Sequence, residues 1–275
     1  MKHTCATLLM LVLILFGCGG SNAPKDVQLQ GLKTYVDAQI KIEHLRKQKP
    51  VDWNAVEAQY KLASTLVKEA DKKYGLDYHN QIEIALNRCK ANIDARVKQQ
   101  IFAKGLQHLT VLKIRENLKA LVVASDPEIR SKYALRVATL FEGIRPTFTR
   151  RDEDFFKQSP ELEQSALNAI ESLKKGTEMI TAGRQLENAI KRTYALSMIF
   201  EIQEIEKIKV SNPGECHVKR MEAQIFYRII QEAIQRTNAN SDRNILYLLE
   251  SGFDQMSPVI LEEDLRTGLK GITIR

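Results

Sequence analysis

From Asp26 onward the apolar residues return every three or four positions, and no stretch of two-residue alternation bounded by hairpin turns interrupts them. That period predicts an all-α fold. Val27, Leu29, Leu32, Val36, Ile40 and Leu45 form the stripe of a first helix, which must stop before Pro50 because a proline cannot continue the backbone ladder. Asp52 is placed to cap a second helix carrying Trp53, Val56, Tyr60, Leu62, Leu66 and Val67 and ending near Gly75. A third helix is expected over 77–92, and a long fourth over 94–123 with Ile101, Leu106, Leu109, Leu112, Leu118 and Leu121. Ser125-Asp126-Pro127-Glu128 joins a capping aspartate, a proline at the first helical position and an acid at the positive end of the helix dipole. The helix it opens is expected to break at Arg145-Pro146. Ser159-Pro160-Glu161 repeats the signal for a helix that Gly176 interrupts, and a long apolar-striped helix from Met179 to Ile205 follows. Asn212-Pro213-Gly214-Glu215 closes it and opens another, with an acid three residues after the capping Asn. The remainder predicts one long and two short helices.

Sliding the chain by 88 residues superposes Asn80, Ile82, Glu83, Arg96, Ile114, Glu116 and Lys119 on Asn168, Ile170, Glu171, Arg184, Ile202, Glu204 and Lys207. A shift of 86 then aligns Pro127 with Pro213, Leu140-Phe141 with Phe226-Tyr227, Ile144 with Ile230, and Arg150 with Arg236. This predicts a multi-helix bundle built from two pseudo-repeated hairpins, about 78–152 and 166–238, in a single all-helical domain over 26–275. N-terminal helices at 26–75 and short C-terminal helices at 241–268 complete it.

The first residues read differently. Lys2 and His3 precede a run from Ala6 to Phe16 that is apolar except for Thr7, and small residues follow it. A run of about 11 residues falls well short of the roughly 20 that span a bilayer, which is signal-peptide anatomy over 1–17. Leu15-Phe16-Gly17-Cys18 resembles the lipobox of bacterial lipoproteins, although that family usually carries a smaller side chain where Phe16 stands. The resemblance implies lipid on Cys18, a tether over 18–25 and a membrane-anchored, extracytoplasmic protein facing the periplasm. Composition fits a chain with a core of its own: 275 residues, 44% hydrophobic and 27% charged. The formal charge of +7 would suggest nucleic acid, but outside the cytoplasm the expected partners are anionic headgroups and an envelope protein instead. Of four cysteines, Cys89 and Cys216 remain after the leader and the lipid site, and in an oxidising compartment their pairing is one alternative, two buried thiols the other.

Val97-Lys98-Gln99-Gln100-Ile101 leading to Lys104-Gly105-Leu106-Gln107, and Tyr194-Ala195-Leu196-Ser197 leading to Glu201-Ile202-Gln203-Glu204-Ile205-Glu206, resemble the helical extracytoplasmic segments that accompany some bacterial iron permeases. The resemblance implies carboxylate-rich helices beside an iron-uptake route. Glu201 and Glu204 share a helix face, and a hairpin partner places Glu222 near them, so three carboxylates are candidate ligands for a hard cation such as iron. The competing reading is structural: Glu201 aligns with Lys113 and Glu222 with Arg136, so acids of one half are set against bases of the other. Glu250-Ser251-Gly252-Phe253-Asp254 resembles the Glu-Ser segment of lytic transglycosylases, which implies a peptidoglycan-acting enzyme, but the Gly-Leu-Met-Gln run of that family is absent. His108 lies on an apolar stripe, the setting of a core histidine. Arg150-Arg151, followed at once by Asp152, Glu153 and Asp154, reads as a mixed turn. With no phosphate-cradling glycine loop, HExxH or GxSxG, the sequence favours binding or scaffolding without catalysis, with no resident cofactor.

Overall fold

The computed structural model describes residues 26–157 and 159–275; the leader, Cys18 and the tether to residue 25 lie outside the described residues. Among those described the fold is an all-α, multi-helix bundle with no strand. α1 (Val27–Lys47) and α2 (Trp53–Tyr74) pack as a hairpin, each capped by an aspartate: Asp26 accepts from Leu29 N–H, and Asp52 from Asn54 and Ala55 N–H. Gly75 ends α2 in the left-handed region at φ 66°, where a side chain would be strained. α3 (Tyr78–Lys90) follows.

The stretch expected as one long helix is interrupted. α4 (Arg96–Gln100) passes into a π-helical turn (Ile101–Gly105) before α5 (Leu106–Val123). All five residues of the π turn are buried, Lys104 among them. α6 (Pro127–Phe155) opens on the Asp126-Pro127 cap as expected, but it does not break at Arg145-Pro146. Proline there removes one backbone donor, and the helix is held nearby from outside: Gln39 Nε2 of α1 donates to the Gly143 carbonyl at 2.8 Å. Thr110 Oγ1 lies 2.8 Å from both Gln39 Oε1 and the Leu106 carbonyl, and Tyr35 O–H donates to that same carbonyl at 2.8 Å. One buried polar network thus links α1, the start of α5 after the π turn and the Gly143 turn of α6.

Because α6 continues, Arg150-Arg151 is helical, not a turn, and Asp152 acquires a task. α7 (Glu161–Lys175) has no side-chain cap of its own, and Asp152 accepts from its Leu162 and Glu163 N–H groups at 2.8 and 2.9 Å. α8 (Met179–Ile208) packs on α7 and on α9 (Pro213–Thr237), whose Asn212 cap accepts from Glu215 N–H. α10 (Ala239–Glu250) and α11 (Pro258–Gly268) close the far side. A single apolar core joins all the long helices, from Leu32 to Ile274. The hairpins α5–α6 and α8–α9 both form, but the cross-pairs suggested by the alignment do not: Lys113 pairs with Glu116, and Arg136 with Asp26.

Candidate functional site

Among the cavities that indent the described surface, two are apolar-lined grooves of about 610 and 680 Å³. Another, about 190 Å³, is walled almost entirely by polar and charged side chains and lies between the π turn, α6, α8 and α9, with Arg150 and Lys219 at its solvent-facing side. Burying charge costs several kcal/mol per ion unless partners compensate, so a chamber built this way is the feature of this molecule that packing alone does not account for.

Each wall contributes through its local structure. The π turn directs Lys104 inward, where its ammonium lies 5.0 Å from the centre of the Phe226 ring and forms no ion pair within 4.0 Å among the described residues. Burial holds that ammonium below its ordinary pKa, against the opposing pull of Glu222 and Glu201. From α6, Thr147, Arg150 and Arg151 face the chamber. Arg151, only 7% exposed, stacks 4.0 Å over Phe200 and pairs with Asp154 through Nη2 at 2.9 Å, while its Nε and Nη1 are buried without a partner. Thr147 Oγ1 is likewise buried and unpartnered. Each such orphan costs about 1–3 kcal/mol. Arg150 pairs with Glu43 of α1 at 3.4 Å.

From α8 come Ser197 and Glu201, and from α9 Lys219 and Glu222. Ser197 spends its proton on the Thr193 carbonyl at 2.9 Å. Glu201, 3% exposed, sits 3.0 Å from Lys219 Nζ, and Glu222 is 4.0 Å from the same atom. Burial and the neighbouring Glu222 charge push the Glu201 carboxyl up to about 7, against the pull of Lys219 and Lys104. For Lys219, burial works against the charge and is outweighed by Glu201 and Glu222, so its ammonium is held above the ordinary value.

The proposed metal ligands are therefore only partly brought together. Glu201 and Glu222 converge, but on Lys219, a fixed cation in the place a metal would need. Glu204 pairs at 2.7 Å with Lys207 one turn along its own helix, and among the described residues no three His, Cys, Asp or Glu side chains group as a metal site. Cys89 on α3 and Cys216 on α9 are both buried free thiols, not a disulfide: each is packed within its own neighbourhood, Cys216 beside the Ile205 carbonyl. Glu250 is exposed at the end of α10 and lines none of the three cavities. His108 is a core residue whose Nδ1 meets Tyr78 O–H at 2.7 Å; burial, aided by Arg115 and Arg228, lowers its pKa to about 3 and keeps it neutral.

Sequence reasoning missed Lys104, Thr147, Arg151 and Lys219. The available signal was a lysine inside the apolar run Ile101-Phe102-Ala103-Lys104-Gly105-Leu106. No protein-family model, curated protein or solved structure matches this chain.

Proposed function

We propose that this is a lipid-anchored, extracytoplasmic binding component of the bacterial envelope, whose helical body holds a small ligand in the chamber between the π turn, α6, α8 and α9. The observation that carries the reading is the set of buried, unpartnered polar groups on Thr147 and Arg151 beside a small polar cavity, the arrangement of a site made to be completed from outside. Anchoring is supported by Leu15-Phe16-Gly17-Cys18 after the short apolar run. No described helix is long and apolar enough to cross a membrane. Binding without catalysis is favoured because Ser197 spends its proton on its own helix and His108 is engaged with Tyr78 in the core, so neither forms a nucleophile and base pair.

Two measurements test this reading. The wild-type chain partitions into the detergent phase of a phase-separating detergent, and Cys18→Ala moves it to the aqueous phase; aqueous wild type would sink the anchor. The small-molecule fraction of the producing cells raises the melting temperature of wild type but not of Ser197→Leu, which fills the chamber. Equal shifts in both would sink the ligand site.

Iron handling is the second reading, supported by the convergence of Glu201 and Glu222. It requires Lys219 to withdraw and water or another group to supply further ligands. Calorimetry with ferrous and ferric ions, beside a Glu201→Gln/Glu222→Gln variant, decides it: saturable binding lost in the variant would establish the iron reading.

A further inference from the structure

The chamber's donors outnumber its acceptors, and the imbalance points to the chemistry of its occupant. Thr147 and Arg151 stand one turn apart on α6 and so enter from one face, while Lys104 enters from the π turn and Lys219 from α9. The lining carries four cations, Lys104, Arg150, Arg151 and Lys219, against two carboxylates, Glu201 and Glu222. Glu43 and Asp154 support the two arginines from outside the lining, which leaves Lys104 without an acid in contact among the described residues. Thr147 Oγ1 and Arg151 Nε and Nη1 have no partner at all. A metal ion entering here would meet Lys104 and two arginines beside the carboxylates, and a neutral solute would leave Lys104 without an acid in contact.

We infer that the chamber is a receptor for a small oxyanion, a species such as phosphate, sulfate or a short carboxylate whose several acceptor oxygens answer Lys104, Thr147 and Arg151 together. The inference rests on the small-ligand reading above and adds the class of ligand. Size limits it further. About 190 Å³ is the liquid-volume share of roughly six waters. That suits a tetrahedral oxyanion or a short mono- or dicarboxylate and is below the roughly 300 Å³ typical of sites for drug-sized ligands. The cations are held ready before the ligand arrives: Phe200 and Asp154 fix the Arg151 guanidinium, and Phe226 faces the Lys104 ammonium.

The test titrates the full chain in mild detergent, by calorimetry, with sodium sulfate, sodium phosphate, acetate and succinate, beside ferrous and calcium chloride. One of the oxyanions is expected to bind one to one, and which of them does so separates an inorganic from a carboxylate source. Lys104→Met and Arg151→Gln are each expected to weaken binding about tenfold or more. Lys104→Met keeps the aliphatic stem and removes a buried charge, so its ligand-free melting temperature stays at or above wild type, which separates loss of binding from loss of folding. Anion binding indifferent to Lys104→Met and Arg151→Gln would overturn the assignment, as would metal binding with no anion bound; either leaves the small-ligand reading standing. Silence from every salt, together with no chamber-dependent stabilisation by the cellular small-molecule fraction, overturns both.

Discussion

Glu201 and His108 are two buried titratable side chains that burial moves in opposite chemical senses: each favours its neutral form, but for an acid that raises the pKa and for a base it lowers it. The consequences for stability therefore run against each other. Glu201 holds its proton more tightly folded, up to about 7 against an ordinary 4.5, so its contribution is complete below about pH 4.5 and is lost as pH rises toward 7. His108 holds its proton less tightly folded, at about 3 against an ordinary 6.5, so its contribution is complete above about pH 6.5 and is lost as pH falls toward 3. Between about pH 4.5 and 6.5 the two oppose, and wild-type stability is expected to vary little there. Urea unfolding in that window should show Glu201→Gln losing stability on acidification, because only the histidine slope remains. His108→Leu should gain stability on acidification, from a lower starting point because Tyr78 O–H loses its acceptor. Two variants with the same pH slope would show that these side chains do not control it.

At the scale of elements, the π turn and the proline-containing stretch of α6 each put residues into the chamber, beside those of α8 and α9. The apolar stripe predicted a helix over 94–123 and an end to the preceding-residue ladder at Pro146, and the structure departs from both. A stripe is a statement about one face, so it cannot register five consecutive buried residues, Lys104 among them. Proline reads as a stop because it lacks a donor, and the sequence does not display the α1 side chain that meets α6 beside it. By contrast, the caps at Asp52, Asp126 and Asn212 and the left-handed Gly75 were legible, since their chemistry is local to a few residues. Gln39 is the link between the two irregularities, and Gly143 makes its approach feasible: a Cβ there would lie 3.0 Å from Gln39 Oε1. Gly143→Ala is expected to destabilise the fold by about 1–3 kcal/mol, lowering the melting temperature by several degrees. In a Gln39→Ala background the added methyl has room, so the second substitution should cost much less than it does alone. Additive costs in this double-mutant cycle would mean that the α1 side chain does not hold α6 at Gly143.

For the whole molecule, the candidate carboxylates were legible only as far as Glu201 and Glu222, because helix period puts residues on faces but does not say which cation meets them; Lys219, Arg151 and Lys104 arrive from three different elements. The chamber is therefore a product of the assembled bundle, and its stability should be that of the bundle. One apolar core runs through every long helix, from Leu32 on α1 to Leu265 on α11 and Ile274 beyond it. A shared core makes separate unfolding of the N-terminal helices costly, since α1 lies against α6 and the π turn as well as α2. The single tryptophan gives a probe placed to test this. Trp53, at the start of α2, has its ring centre 6.2 Å from that of Phe102 in the π turn, so its fluorescence reports on the N-terminal helices and on their contact with the chamber's own segment. Thermal unfolding followed by Trp53 fluorescence and by far-ultraviolet dichroism is expected to give coincident single transitions. A saturating oxyanion should then move both by the same amount, because a ligand that binds only the folded bundle stabilises all of it. A fluorescence transition several degrees below the dichroism one would instead show that α1 and α2 detach first, and that the chamber stays closed without the Gln39 and Tyr35 contacts that join α1 to α5 and α6.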